Sequence, residues 1–212
     1  MLPIEQGLYQ FSAYSPAIDL SFNQYLMMSD EPILFHTGNL QQAGALIPQI
    51  KALLDGKRLA YIFVSHFEAD ECGGLPAILN EYPEATTICS EITARQFAGF
   101  GFRNETVHKK TGEELETASY VLQFISYPSE VHLWEGLLVY EKQRDIFFSS
   151  DLMIRRGDVA GIAEDSNWLA EIDNINAGHI PDLDRLKQLQ NTLSKLHPKL
   201  VAPGHGPCLR FI

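Results

Sequence analysis

The chain has 212 residues, 45% of them hydrophobic and 20% charged, with a formal net charge of −11. That is enough apolar sequence for one sizeable core, and the charge has the wrong sign for a general nucleic-acid or anionic-membrane binder, both of which need a basic surface. Three cysteines, Cys72, Cys89 and Cys208, are odd in number and far apart, which excludes a disulfide framework and a C-x-x-C pair and suits a reducing compartment.

Turn residues divide the N-terminal part into strands at 7–14, 21–29 and 32–36, with breaks at Ser15-Pro16 and Ser29-Asp30-Glu31-Pro32. The spacing of Leu40, Ala43, Leu46, Ile47, Ile50, Leu53 and Leu54 predicts a helix over 40–54, ended by Asp55-Gly56. The continuous apolar run 59–64 suits a strand buried on both faces. A helix at 75–82, a short strand at 86–90 and a helix at 91–100 follow. Strands at 121–127, 137–141 and 145–149 come next, the last two joined by a tight turn at Lys142-Gln143-Arg144. A helix over 183–196 carries Leu183, Leu186, Leu189, Leu193 and Leu196 as its stripe, stops before Pro198 and leads to a strand at 199–202. Strands in runs, separated by helices that must cover their outer faces, predict a layered α/β sandwich. No repeat, low-complexity stretch or linker interrupts 1–212, which therefore read as one domain. Neither a secretory signal nor an apolar run of membrane-spanning length is visible, so a cytoplasmic protein without membrane or nucleic-acid partners is expected.

His66-Phe67-Glu68-Ala69-Asp70 follows the apolar run directly. It sets an imidazole and two carboxylates at alternate positions, and alternate residues of an extended segment point the same way. Carboxylates resist burial without compensation, and a bound cation would supply it. Four more ligand-type residues end apolar strands or follow them after a short loop. His36 closes Ile33-Leu34-Phe35, His132 follows 121–127, Asp151 follows Ile146-Phe147-Phe148 and two serines, and His205 lies in Pro203-Gly204-His205-Gly206. Loops at strand ends are where folds usually place chemistry.

This order of motifs, spread over most of the chain, resembles the metallo-β-lactamase fold. It is most similar to the diiron branch represented by flavodiiron proteins and stand-alone oxygen-binding diiron proteins. The resemblance implies a four-layer αββα sandwich and a pair of iron ions, one held by His66, Glu68 and His132, the other by Asp70 and His205, with Asp151 bridging. Hydrolytic members usually carry histidines where this chain has Glu68 and Glu71. Neutral, histidine-rich sets suit zinc, whereas added carboxylates are hard anionic donors suited to iron or manganese. Glu68 thus points from hydrolysis toward redox chemistry, with zinc or manganese as alternative or misloaded metals.

Two departures stand out. Flavodiiron proteins generally carry histidine at the position of Glu71; here the glutamate can ligate, accept a proton or face solvent. They also continue into an FMN-bearing flavodoxin-like domain, for which the sequence shows no counterpart, so no FMN is expected and electrons would come from an external donor. His36 reads as a support for a ligand or as a plain turn residue, and His179 as a loop residue able to approach the site. The leading expectation is a diiron protein that binds a small diatomic ligand, O2 above all with NO or peroxide as alternatives. It would act as a sensor coupled to a signalling protein or as an oxidoreductase, with a homodimer among the arrangements allowed. A binuclear hydrolase of the same fold and a regulatory module with a degenerate metal site remain open at this point.

Overall fold

A computed structural model of the chain describes residues 2–128, 135–159, 161 and 163–211. The first half forms β1 (Leu2–Glu5), β2 (Leu8–Ser15), β3 (Leu20–Met27), β4 (Ile33–Phe35), β5 (Tyr61–Phe63), β6 (Thr86–Cys89) and β7 (Thr106–His108), which make one seven-stranded sheet in chain order. β1 to β4 pair antiparallel, and β4 to β7 pair parallel. Parallel neighbours need long crossovers. Here these include α1 (Leu40–Leu54), α2 (Ala69–Cys72), α3 (Leu75–Glu81) and α4 (Glu91–Gly99). The second half forms β8 (Glu114–Glu116), β9 (Val121–Tyr127), β10 (Gly136–Glu141), β11 (Ile146–Ser150), β12 (Ala163–Asp165), α5 (Trp168–Asn174), α6 (Leu183–Leu193), β13 (Leu200–Pro203) and β14 (Cys208–Arg210). Its seven strands make a second sheet in the order β12-β14-β13-β11-β10-β9-β8.

Period-two alternation sorts the apolar side chains into three layers. Between the sheets, Tyr25, Phe35 and Phe63 meet Phe124, Val139 and Phe148, and the Phe35 and Phe148 rings stack with centroids 3.6 Å apart. Leu34 and Ile62, neighbours of those inward residues, face the other way, onto Leu46, Ile50, Leu75, Ile78 and Phe97 of α1, α3 and α4. On the far side Leu138, Phe147 and Val201 pack under Ile172 of α5 and Leu186, Leu189 and Leu193 of α6. The expected four-layer αββα sandwich is the observed architecture. Among the described residues no helix is long and apolar enough to cross a membrane.

Several local expectations need correction. Leu40 and Leu183 begin their helices 68% and 66% exposed, outside the buried stripes. α6 stops at Leu193, and Leu196 reaches the core through a tight turn in which its N–H donates to the Leu193 carbonyl (2.9 Å). Most consequential, 66–70 is not one extended segment. Glu68 is extended, at φ −131°, ψ 160°, but Asp70 and Glu71 lie in the first turn of α2.

Candidate metal centre

The ends of β5, β11 and β13 meet at one edge of the sandwich, and each turns sharply there. After β5 the chain makes the single turn of α2, carrying Glu68, Asp70 and Glu71. Ser150, at φ 49°, bends β11 so that Asp151 follows at the rim. Beyond β13, Asn23 holds the 203–206 loop: its side-chain amide donates to the carbonyls of Pro203 (3.2 Å) and Gly206 (2.8 Å), and its N–H to that of Gly204 (2.8 Å). Tyr25 Oη donates to the Pro203 carbonyl at 2.9 Å.

Two histidines converge on one carboxylate. His66 Nε2 lies 3.2 Å from Asp151 Oδ2 and 3.3 Å from Glu68 Oε2. His205 Nε2 lies 3.4 Å from Asp151 Oδ1 and 3.3 Å from Asp70 Oδ2. Donors on one ion with bonds of about 2.1 Å sit about 3.0–3.4 Å apart, so both groups have the spacing of neighbouring ligands. The other ring nitrogens are engaged: His66 Nδ1 lies 2.9 Å from Ser65 Oγ, and His205 Nδ1 lies 3.0 Å from the Ser21 carbonyl. This leaves Nε2 of each ring for the centre, the supporting arrangement that metal-binding histidines require. Tyr127 Oη donates to Asp151 Oδ2 at 3.3 Å.

The electrostatics carry the same message. Burial works to lower the pKa of both imidazoles, but the hydrogen bonds that His66 donates to Asp151 and Glu68, and His205 to Asp151 and Asp70, outweigh it, raising His66 to about 9 and His205 to about 10. Asp70, although burial opposes it, is held below the usual carboxylate range by His205. Burial, and then the charges of Asp151 and Asp70, push Glu71 well above it. The acids draw positive charge to the place to which both Nε2 atoms point; in the metal-free fold the protonated imidazoles provide it, and a bound metal ion would take their protons' place.

Of the sequence-predicted residues, the structure gathers His66, Glu68, Asp70, Asp151 and His205. His132 lies outside the described residues. Glu71 does not face solvent: it is 2% exposed and belongs to both groups of converging donors, His66–Glu71–Asp151 and Asp70–Glu71–His205. His36 is buried beneath the centre at φ 63°, its Nε2 without a hydrogen-bond partner, and burial together with the nearby His66 lowers its pKa to about 4. Among the described residues it supports no ligand by a direct hydrogen bond. His179 is exposed and caps a turn, its Nδ1 accepting from the Asn176 N–H at 3.3 Å, so the expected approach to the site is not seen. Sequence reasoning missed Ser65, Ser150, Ser21, Asn23 and Tyr25. The last three had a signal, since Ser21, Asn23 and Tyr25 alternate along one face of a strand where a mid-strand asparagine is disfavoured.

Comparisons with known proteins bear on the family and the fold. The chain is 26% identical over 203 residues to diflavin flavoprotein A 1 of Synechocystis sp., a match covering 90% of this chain and 34% of that protein. It is 24% identical over 213 residues to a nitric oxide reductase of Moorella thermoacetica, covering 92% and 51% respectively. The metal-soaked Flv1 flavodiiron core from Synechocystis sp. superposes with a TM-score of 0.78 at 22% identity, over 98% of this chain and 56% of that one. The chain thus spans between a third and just over half the length of these relatives. The profile of the family described as ODP family beta lactamase matches residues 20–206. This protein therefore belongs to that family, with the metallo-β-lactamase-like architecture of flavodiiron cores.

Proposed function

We propose that the chain is a dinuclear iron protein that binds O2, and by the same chemistry NO, as an oxidoreductase supplied with electrons by a separate donor. The observation that carries the reading is the position of Asp151, whose two oxygens face different histidines, His66 at 3.2 Å and His205 at 3.4 Å. A carboxylate so placed suits a bridge between two ions. His66, Glu68 and His132 would hold one ion and Asp70 and His205 the other. The carboxylate-rich donor set favours iron or manganese over zinc. The family supports diiron oxidoreductase chemistry, and one relative bears the name nitric oxide reductase.

When bound, the ions supply reversible one-electron redox chemistry at positions open to a small ligand. The chain's own groups set the conditions. Glu68, with a side chain 41% exposed, lies on the solvent side of the centre, whereas His66 is buried on its inner side. Ser65 orients the His66 ring through Nδ1, and the Ser21 carbonyl does the same for His205. Tyr127 keeps its phenolic proton, because burial and then the negative charge of Asp151 push its pKa up, and the hydroxyl steadies the bridging carboxylate.

Anaerobic loading with ferrous iron tests the reading. The expected result is two ions per chain, then O2 uptake on exposure to air with a new near-ultraviolet or visible absorption band. Binding of no more than one ion would overturn it, as would retention of zinc with hydrolysis of a chromogenic ester or lactam.

A further inference from the structure

Glu71 belongs to both halves of the centre. One of its carboxylate oxygens lies within 4.8 Å of donor atoms of His66 and Asp151, and one within the same distance of donors of Asp70 and His205. Its Oε2 is buried, accepts no hydrogen bond among the described residues and has His66 Nε2 at 4.0 Å. The backbone leaves it no retreat. The Glu71 carbonyl accepts from the N–H of Thr37 at 2.8 Å and from its hydroxyl at 3.2 Å. Two residues beyond α2, the Gly74 N–H donates to the Gly38 carbonyl at 2.7 Å. A Cβ at Gly74 would stand 2.5 Å from Ala43 Cβ and 2.9 Å from the Thr37 carbonyl, so α2 is seated as close to the β4–α1 loop as a backbone can be. An acid fixed here faces the ion positions and no solvent.

We propose that Glu71 is a fourth carboxylate ligand that spans both metal positions beside Asp151. This rests on the dinuclear reading above and deepens it. Once bound metal displaces the proton of Glu71, Glu68, Asp70, Glu71 and Asp151 together would carry four negative charges, which balance two divalent cations without an added anion. A doubly carboxylate-bridged pair is a harder site than one closed by an imidazole, so the native glutamate biases the centre toward manganese and iron and away from zinc. Glu71 is thereby a determinant of metal identity as well as of affinity.

Manganese(II) is the probe, because its electron paramagnetic resonance spectrum reports whether two ions are coupled. The metal-free protein is titrated anaerobically, and far-ultraviolet circular dichroism confirms the fold of each variant. Wild type is expected to bind two ions with an exchange-coupled spectrum. Glu71→Gln, equal in shape but uncharged, is expected to weaken the second ion at least about tenfold and abolish the coupled signal. Glu71→His, a neutral donor, is expected to move the zinc-to-manganese affinity ratio at least about tenfold toward zinc, and decides the matter alone should the glutamine variant not fold. Wild type binding two ions while the folded variants keep both affinities within about threefold, with the same spectrum, would overturn the role of Glu71 and leave the dinuclear reading intact. Wild type binding fewer than two ions would overturn both.

Discussion

The hydroxyls of Ser65 and Ser150 lie 2.8 Å apart, joining the residues that immediately precede His66 and Asp151. Ser65 belongs to the segment that follows β5 in one sheet, and Ser150 ends β11 in the other, so the contact ties the two sheets together at the root of the centre. With Ser65 Oγ also 2.9 Å from His66 Nδ1, the pair can accept the Nδ1 proton of the tautomer that directs a bare Nε2 toward the centre. Ser65→Ala is expected to destabilise the metal-free protein by about 1–3 kcal/mol, because a buried partner is left unsatisfied. The same change should weaken metal binding by about tenfold or more. Urea unfolding and a metal titration measure the two effects, and no change in either would remove this role.

Asp151 faces both histidines, so its loss should be felt at both positions. Asp151→Ala is expected to reduce the bound metal from two ions per chain to less than one, read by elemental analysis after dialysis. Two ions retained with little loss of affinity would show that Asp151 does not bridge.

Gly136 opens β10 against the metal loop, where the Leu137 N–H donates to the Ser65 carbonyl at 2.9 Å. A Cβ on Gly136 would overlap that carbonyl and stand 2.9 Å from His66 Cβ. Gly136→Ala is therefore expected to destabilise by about 1–3 kcal/mol and to lower metal affinity by displacing His66. Thermal unfolding and metal titration check both, and wild-type values would show that the loop gives way freely.

His36 gives the metal-free protein an acid limb. Its pKa is about 4 in the fold against 6.5 as an ordinary histidine, with burial the main cause. The unfolded chain takes up the proton first, so stability is full above pH 6.5 and declines as the pH falls toward 4. Between pH 7 and pH 5 the loss from this residue is about 2 kcal/mol. His36→Gln should remove that part of the slope in urea unfolding at the two pH values. An identical slope in both proteins would place the acid sensitivity elsewhere.

The sequence signals differ in strength for physical reasons. α1 is legible to its ends, because its apolar period is bounded by a capping box, in which Asn39 accepts from the Gln42 N–H and Gln42 accepts from that of Asn39, and by Asp55 in the left-handed region. β4, β5 and β13 are legible because strands covered on both sides read as unbroken apolar runs. The edge strands β7, β8 and β12 hold three residues each, largely polar, and carry no period to detect. At the centre, His66, Asp151 and His205 stand out by chemistry at strand ends. Ser65 and Ser150 do not, since a serine beside a ligand matters only once two strands distant in sequence have met. His179 shows the converse: a histidine in a Gly-His-Ile-Pro loop has ligand chemistry, yet the chain turns it outward.

The donors of this centre come from both halves of the sandwich, Glu68, Asp70 and Glu71 from one and Asp151 and His205 from the other. A pair of ions would act as a clasp across the interface formed by Phe35 and Phe148, and the work of prising the halves apart would grow with the logarithm of the free metal concentration. The fold and its metal would then share one equilibrium, and chelation would loosen the seam between the layers.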